Sequence, residues 1–347
     1  MKKLFLTLVA TYTIASLTAQ DNQKNEPFST KSFAGQSIKD VEVETSGGNI
    51  SVQSVPADQS RIEVFVWPAN GKNKASSKDE IQKKLDEFYD LKIDVSNNRL
   101  IATAKSKSRK WDRNNALSIS FKVYVNSNVS TNLTTSGGNI SLKEVNGQQK
   151  ITTSGGNLVI DHVKGKLKGT TSGGNIQVTD AEDIVELTTS GGNIEANNCK
   201  GDTRLVTSGG SIRLANMSGT TEAVTSGGNV QANMVTGGLQ AHTSGGNIDL
   251  AALSCDLETA TSGGNIRVAF NEPGRTIKIR NSGGNIALQL PASKGYDLDL
   301  NGGKVKADNM SNFSGKTGDD VISGKLNGGG ARVTVDAGDG NVLLTLK

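Results

Sequence analysis

The sequence predicts an all-β chain: a single-stranded β-helix, or β-solenoid, with 18-residue coils and an N-terminal cap that contains one short α-helix. Three observations predict it. The hexapeptide Thr135-Ser136-Gly137-Gly138-Asn139-Ile140 returns with little change at Thr153, Thr171, Thr189, Thr207, Thr225, Thr243 and Thr261, each time after 18 residues. A further copy starts at Asn281 after a 20-residue step, and a lone one lies upstream at Thr45. A fixed period of this size marks units that stack on their neighbours. Aliphatic residues recur two apart after each Asn, as in Ile140/Leu142, Ile176/Val178 and Ile248/Leu250, which is strand periodicity. Two adjacent glycines per unit would destroy a helix, and glycine is not at every third position, which excludes collagen. Aromatic residues make up only 4% of the chain, as suits a core too thin for large rings.

Within a unit, the next inward column falls five residues after the first aliphatic one: Val145, Val163, Ala181, Cys199, Met217, Val235 and Leu253. The step of three from the previous inward residue reverses strand parity, so a turn or bulge is expected between them. Glycine follows at 147, 165, 201, 219 and 237, with Asp183 and Cys255 as the exceptions. The motif threonine shares the inward parity and is expected near a corner. Gly-Gly is expected to supply positive φ at that corner, and the Asn column to form an amide ladder, with Ser211 the one substitution in the regular run.

Along the chain, residues 1–20 read as a secretory signal: Lys2 and Lys3, an apolar stretch from Leu4 to Leu17, and a cleavage zone at Ala19-Gln20. Residues 21–36 read as a flexible leader. Residues 37–130 read as an N-terminal cap with the first wide coils. Inside it, Ser77 and Glu80 have capping-box spacing ahead of a helix near 78–89 whose Ile81, Leu85 and Phe88 share a face. Regular coils occupy 131–290. Residues 291–347 read as degenerate coils and a C-terminal cap, with Asn301-Gly302-Gly303 and Asn327-Gly328-Gly329 as echoes of the motif. Caps are needed because an open end presents unpaired strand edges.

These residues resemble the bacterial "putative adhesin" family, a domain of unknown function (number 4097). The resemblance rests on Gly48-Asn49-Ile50-Ser51-Val52, the charged helix over 78–89, the alternating strands over 91–125 and the copies from Ser136 onward. It covers roughly residues 38–347. It implies a right-handed β-helix in an exported protein and brings no catalytic residues. The chain departs from the family's commoner Gly-Asp by using Asn.

Composition narrows the chemistry further. The formal charge is +4, and Lys2 and Lys3 account for two of it, leaving +2 for the mature chain; no anionic partner is demanded. Cys199 falls in an inward column and Cys255 in the glycine column three coils on, ~14 Å apart at ~4.8 Å per coil, too far for a disulfide. Asn in place of Asp, at a period of 18, disfavours calcium. His162 and His242, far apart in sequence, read as solvent-side residues without metal-ligand spacing. Asp161, Asp180, Asp183, Glu186, Glu195 and Asp202 read as scattered over different columns, which gives no acid–base pair for glycoside cleavage. The Gly-Gly motifs lead into strands, so they are not phosphate loops. No catalytic, cofactor or metal residues are assigned. The one candidate site is a polyanion contact at Lys105, Lys107, Arg109, Lys110, Trp111 and Arg113, where basic groups flank an aromatic; a solvated hairpin loop explains the same residues.

The functional expectation is an exported, non-enzymatic adhesin or cell-envelope scaffold that acts by multivalent contact. It is periplasmic, on the outer surface or secreted. Its partners are a cell-surface protein or polysaccharide, with no nucleic acid and no transmembrane segment in the mature chain. The alternatives are a carbohydrate-binding or carbohydrate-cleaving β-helix, and an envelope-stress or signalling accessory protein.

Overall fold

The computed structural model describes residues 26–69, 77–107 and 115–347. The expected export signal, residues 1–20, lies outside the described residues. Between Ile140 and Asn265 the chain is a stack of 18-residue coils in parallel register: Leu158 lies on Ile140, Ile176 on Leu158, Ile194 on Ile176. Every residue thereby sits beside its own counterpart, which is why columns of like side chains appear in the sequence. The first inward column, from Ile140 to Ile286, is buried throughout, and so are the columns two and five residues on. The expected turn or bulge is a single left-handed residue four after the first aliphatic one. Glu144, His162, Asp180, Asn198, Asn216, Met234 and Ala252 all have φ between 52° and 56°. One such residue reverses parity and returns the next side chain to the core.

The repeated corner works differently from the sequence expectation. None of the paired motif glycines between Gly137 and Gly264 has a left-handed φ. The second glycine is there for space. A Cβ on Gly192 would lie 1.9 Å from the carbonyl oxygen of Gly174 in the coil before, whereas a Cβ on Gly191 would meet nothing nearer than 3.7 Å. Positive φ belongs instead to the later glycine column, at 98–129° from Gly147 to Gly237, and Asp183 adopts 82° in that column. Corner threonines are buried. Thr171 Oγ1 donates to the Gly156 carbonyl at 2.8 Å and accepts from the Gly174 N–H at 3.2 Å. Asn281, which replaces Thr, does the same with its amide: Nδ2 donates to Gly264 O at 2.7 Å, and Oδ1 accepts from Gly284 N–H at 3.1 Å.

The Asn column forms a ladder between side chain and backbone rather than between amides. Asn139 Oδ1 accepts the backbone N–H of Asn157 at 2.8 Å, Asn157 Oδ1 that of Asn175 at 2.7 Å, and so on through the stack. Ser211 keeps the chain of bonds intact, donating its N–H to Asn193 Oδ1 and accepting from Asn229 N–H through Oγ.

At both ends the order of coils departs from the order of the chain. The strand Asp40–Thr45 lies between Arg99–Ser106 and Ser130–Thr135, parallel to both. Ile50–Ser54 likewise lies between Leu117–Val125 and Ile140–Thr153. The chain therefore builds its second coil first, moves out to make the terminal coil, and then drops back to start the regular stack. The C-terminal end mirrors this. Ala331–Asp336 inserts between Thr276–Asn281 and Tyr296–Asn301, and Asn341–Leu346 between Ile286–Leu290 and Lys304–Asp308. Gly340-Asn341-Val342 stacks here, since Asn341 N–H donates to Asn285 Oδ1 at 3.0 Å, and the echo Asn301-Gly302-Gly303 stacks on it in turn, with Gly303 N–H donating to the Gly340 carbonyl at 2.8 Å. Asn327-Gly328-Gly329 is a turn with three positive φ values instead.

Antiparallel strands cover the terminal coils: Tyr89–Ser96 on Arg99–Ser106, Arg61–Pro68 on Leu117–Val125, and Val321–Leu326 on Tyr296–Asn301. The helix Lys78–Phe88 starts in a capping box of Ser77 and Glu80 and buries Ile81 and Leu85 against the N-terminal strands. Part of the segment expected as a flexible leader is a strand: Ser29–Ser32 pairs antiparallel with Arg61–Pro68. Its four side chains are exposed, so backbone bonds and the buried Phe33 beside it hold the strand, and no alternating pattern announced it.

Candidate functional site

The most repeated residues are occupied within the fold. Thr bonds across the corner, the second Gly admits the neighbouring coil, Asn carries the ladder, and Ile fills the core. What remains for other molecules is the set of outward columns, and several of their neighbours form charged pairs. Glu182 meets Lys164 at 3.5 Å and Lys200 at 3.4 Å, so its carboxyl is held below the usual range, first by the Lys200 ammonium. Glu258 meets Lys278 at 2.8 Å, with the same effect on its carboxyl. Arg204 pairs with Glu222.

Of the sequence-predicted polyanion contact, the structure places two residues. Lys105 lies near the end of the strand Arg99–Ser106 and pairs with Glu44 at 2.7 Å, which raises its pKa. Lys107 Nζ donates to the Asp86 carbonyl at 2.6 Å and lies 3.8 Å from the Asp90 carboxylate. Both ammonium groups thus already face oxygens of this chain. Arg109, Lys110, Trp111 and Arg113 lie outside the described residues.

The structure also brings together groups that the sequence reading kept apart. His162 sits at the left-handed bulge position, so it projects outward directly beside Asp161. Its Nδ1 is 2.6 Å from Asp161 Oδ1, and its Nε2 is 3.4 Å from Asp180 Oδ2 on the next coil. Lys143 Nζ lies 3.7 Å from the other oxygen of Asp161. Carboxylates raise the imidazole pKa, Asp161 first and then Asp180 and Glu144. The reading of His162 as unclustered is corrected here: Asp161, His162 and Asp180 offer ligand atoms within 4.8 Å of one another. Linear spacing missed the cluster because Asp180 arrives from the following coil; register in steps of 18 would have found it. The cluster opens on a trough of about 560 Å³ between two columns, with His162, Asp180 and Asn198 on one wall and Lys164, Glu182 and Lys200 on the other.

The thiols are sequestered. Cys199 and Cys255 are free and buried, and burial pushes them up to about 11 and about 12. No helix among the described residues is long and apolar enough to cross a membrane.

The profile of the Toastrack DUF4097 family matches residues 32–345. The chain belongs to that family. This Toastrack chain is also similar in structure to a "putative cell adhesion protein" from Clostridium sporogenes ATCC 15579, at 12% identity, covering 92% of this chain and 98% of that one with a TM-score of 0.19. A "putative adhesin" from Bacteroides fragilis NCTC 9343 is similar at 12% identity, with 91% and 96% covered and a TM-score of 0.30. No curated protein matches the chain.

Proposed function

We propose that this Toastrack protein is an exported, non-enzymatic solenoid that acts by multivalent contact along its faces, as an adhesin or an envelope scaffold. One observation carries the reading: the repeated motif is used up in joining coil to coil, and each coil then presents its outward residues at ~4.8 Å intervals. Such a surface suits many weak, parallel contacts whose strength comes from number. A secreted or surface location follows from the signal-like residues 1–20 and the family resemblance. A carbohydrate-cleaving reading draws less support. Residues 126–269 contain no Phe, Tyr or Trp to form a sugar platform, and the carboxylates of Asp161 and Asp180 are bridged by His162.

The test is surface attachment by the secreted chain. Beads coated densely or sparsely with the protein are offered to whole cells and to immobilised envelope polymers. Retention that rises steeply with coating density supports the reading. Retention independent of density, or none by a well-folded sample, overturns it.

A further inference from the structure

Along one outward column the sequence follows a rule. The positions in register read Lys150, Lys168, Glu186, Arg204, Glu222, Gln240, Glu258 and Lys278. From Lys168 onward no like charges are neighbours. The exception is the first step, where Lys150 lies directly beside Lys168. Like charges opposite one another on neighbouring strands are destabilising. Among the described residues Lys150 has no ion-pair partner, while Lys166 and Lys168 share the single carboxylate of Glu186, at 3.9 and 3.5 Å. Two ammonium groups thus share one carboxylate, and that of Lys150 on the adjacent coil is added beside them with no ion-pair partner among the described residues. The same place is a trough of about 460 Å³ that Lys150, Lys166 and Lys168 line together with Gln148 and Asn132. It is also lined by Glu42, already paired with Arg99, and by Asp40. A local breach of a rule the rest of the column obeys, coinciding with a cavity, is the pattern expected of a functional site.

We propose that this trough is a binding subsite for a polyanionic glycan strand, one bearing carboxylates or sulfates at regular intervals. The inference rests on the surface-contact reading above and gives it a site and a ligand class. Lys150 and Lys168 repeat at strand spacing, ~4.8 Å, so successive anionic groups on an extended polymer each meet an ammonium, with the Gln148 and Asn132 amides beside them for hydroxyls. Asp40 and Glu42 repel the polymer and so direct its charged groups to the lysines. Nucleic acid fits less well, because residues 126–269 supply no Phe, Tyr or Trp ring for base stacking and no ring at all lines the trough.

The experiment titrates the full chain with polygalacturonate, a heavily sulfated glycan, dextran and single-stranded DNA at low and moderate salt. The expected result is binding to one or both anionic glycans, weakened by salt, with none to dextran. The polygalacturonate and sulfated arms decide between carboxylate and sulfate. The variant Lys150→Glu should weaken glycan binding at least tenfold and yet raise Tm, since it replaces a repelling pair with an attracting one. Lys278→Gln, on a distant coil, should leave binding unchanged. Glycan binding that survives Lys150→Glu and Lys168→Gln together overturns the site but leaves the surface-contact reading standing. Tighter binding to DNA than to either glycan overturns the ligand class. A folded chain that binds no anionic glycan overturns the inference, and density-dependent retention on cells then still supports contact with another partner.

Discussion

Between Ile140 and Asn265 each coil rests on the one 18 residues earlier. At the two ends Asn139 rests on Asn49, 90 residues away, and Asn341 on Asn285, 56 residues away. Both regions use the same corner bond, in which an Asn Oδ1 accepts the next coil's N–H, yet they meet different demands. A middle coil is stabilised by identical neighbours on either side. A terminal coil has no neighbour beyond it, so antiparallel strands cover it, and the helix joins them at the N-terminal end. Its attachment is further secured because the adjoining coil comes from a different part of the chain. Neither the first coil-forming strand nor the last lies on the outside, so the stack cannot unravel simply by peeling from a chain end. Large rings follow the same division: Phe33, Tyr89, Phe121, Phe270 and Tyr296 are buried toward the ends, and the coils between have none.

Deletions should separate the two regions most sharply. Removing residues 176–193 takes out one whole coil and lets Ile194 stack on Leu158 in unchanged register. Circular dichroism should show a cooperative melt with a modestly lower Tm, as expected where stability sums over repeats. Removing residues 331–347 withdraws strands held on both sides, so the segment 291–330 should become protease-sensitive. Equal damage from both deletions would contradict the contrast.

The next largest effect is expected within one corner. Gly192→Ala forces a Cβ against the Gly174 carbonyl oxygen. Backbone is the obstacle, so the loss should reach the upper end of overpacking costs, about 3 kcal/mol or more. Gly191→Ala, with room at 3.7 Å, should shift stability by less than about 0.5 kcal/mol. Chemical denaturation of the two variants tests a distinction invisible in the repeat, where both glycines recur alike.

That pair also marks the limits of the sequence. Strand periodicity, inward columns and the bulge were legible because a parallel stack in steps of 18 turns spatial neighbours into a linear period. The role of the second glycine was not, because its constraint is a carbonyl on another coil. The inserted terminal coils were not legible for the same reason: Asp40–Thr45 reads as the first coil, and only its pairing with both Arg99–Ser106 and Ser130–Thr135 makes it the second. Of the six residues in the expected polyanion contact, Lys105 and Lys107 read as free bases because Glu44 and Asp86 are distant in sequence. The like-charged step at Lys150 and Lys168 was hidden until the register aligned them.

Thr171→Val should cost about 2 kcal/mol, because the Gly156 carbonyl and Gly174 N–H lose their shared hydroxyl in a buried corner. The smallest effect should be at His162. Its pKa is raised in the folded chain, so its contribution is fully present below the ordinary imidazole value of about 6.5 and is lost as pH rises through the higher folded value. The Tm difference between the native chain and His162→Gln should therefore be larger at about pH 5.5 than at about pH 9. A midpoint for His162 by NMR at or below that of a free imidazole would contradict the Asp161–His162–Asp180 arrangement.

Paired cysteines test the inserted coils most directly. Glu44 and Thr134 are in register on adjacent strands, as are Lys278 and Thr334. Thr103 and Thr134 lie two coils apart, ~10 Å at strand spacing, beyond disulfide reach, although their coils follow one another along the chain. Under mild oxidation Glu44→Cys with Thr134→Cys, and Lys278→Cys with Thr334→Cys, should crosslink within one folded chain. Thr103→Cys with Thr134→Cys should not. Crosslinking of the Thr103 pair in place of the Glu44 pair would mean that the coils follow chain order, and the account of the ends would be wrong.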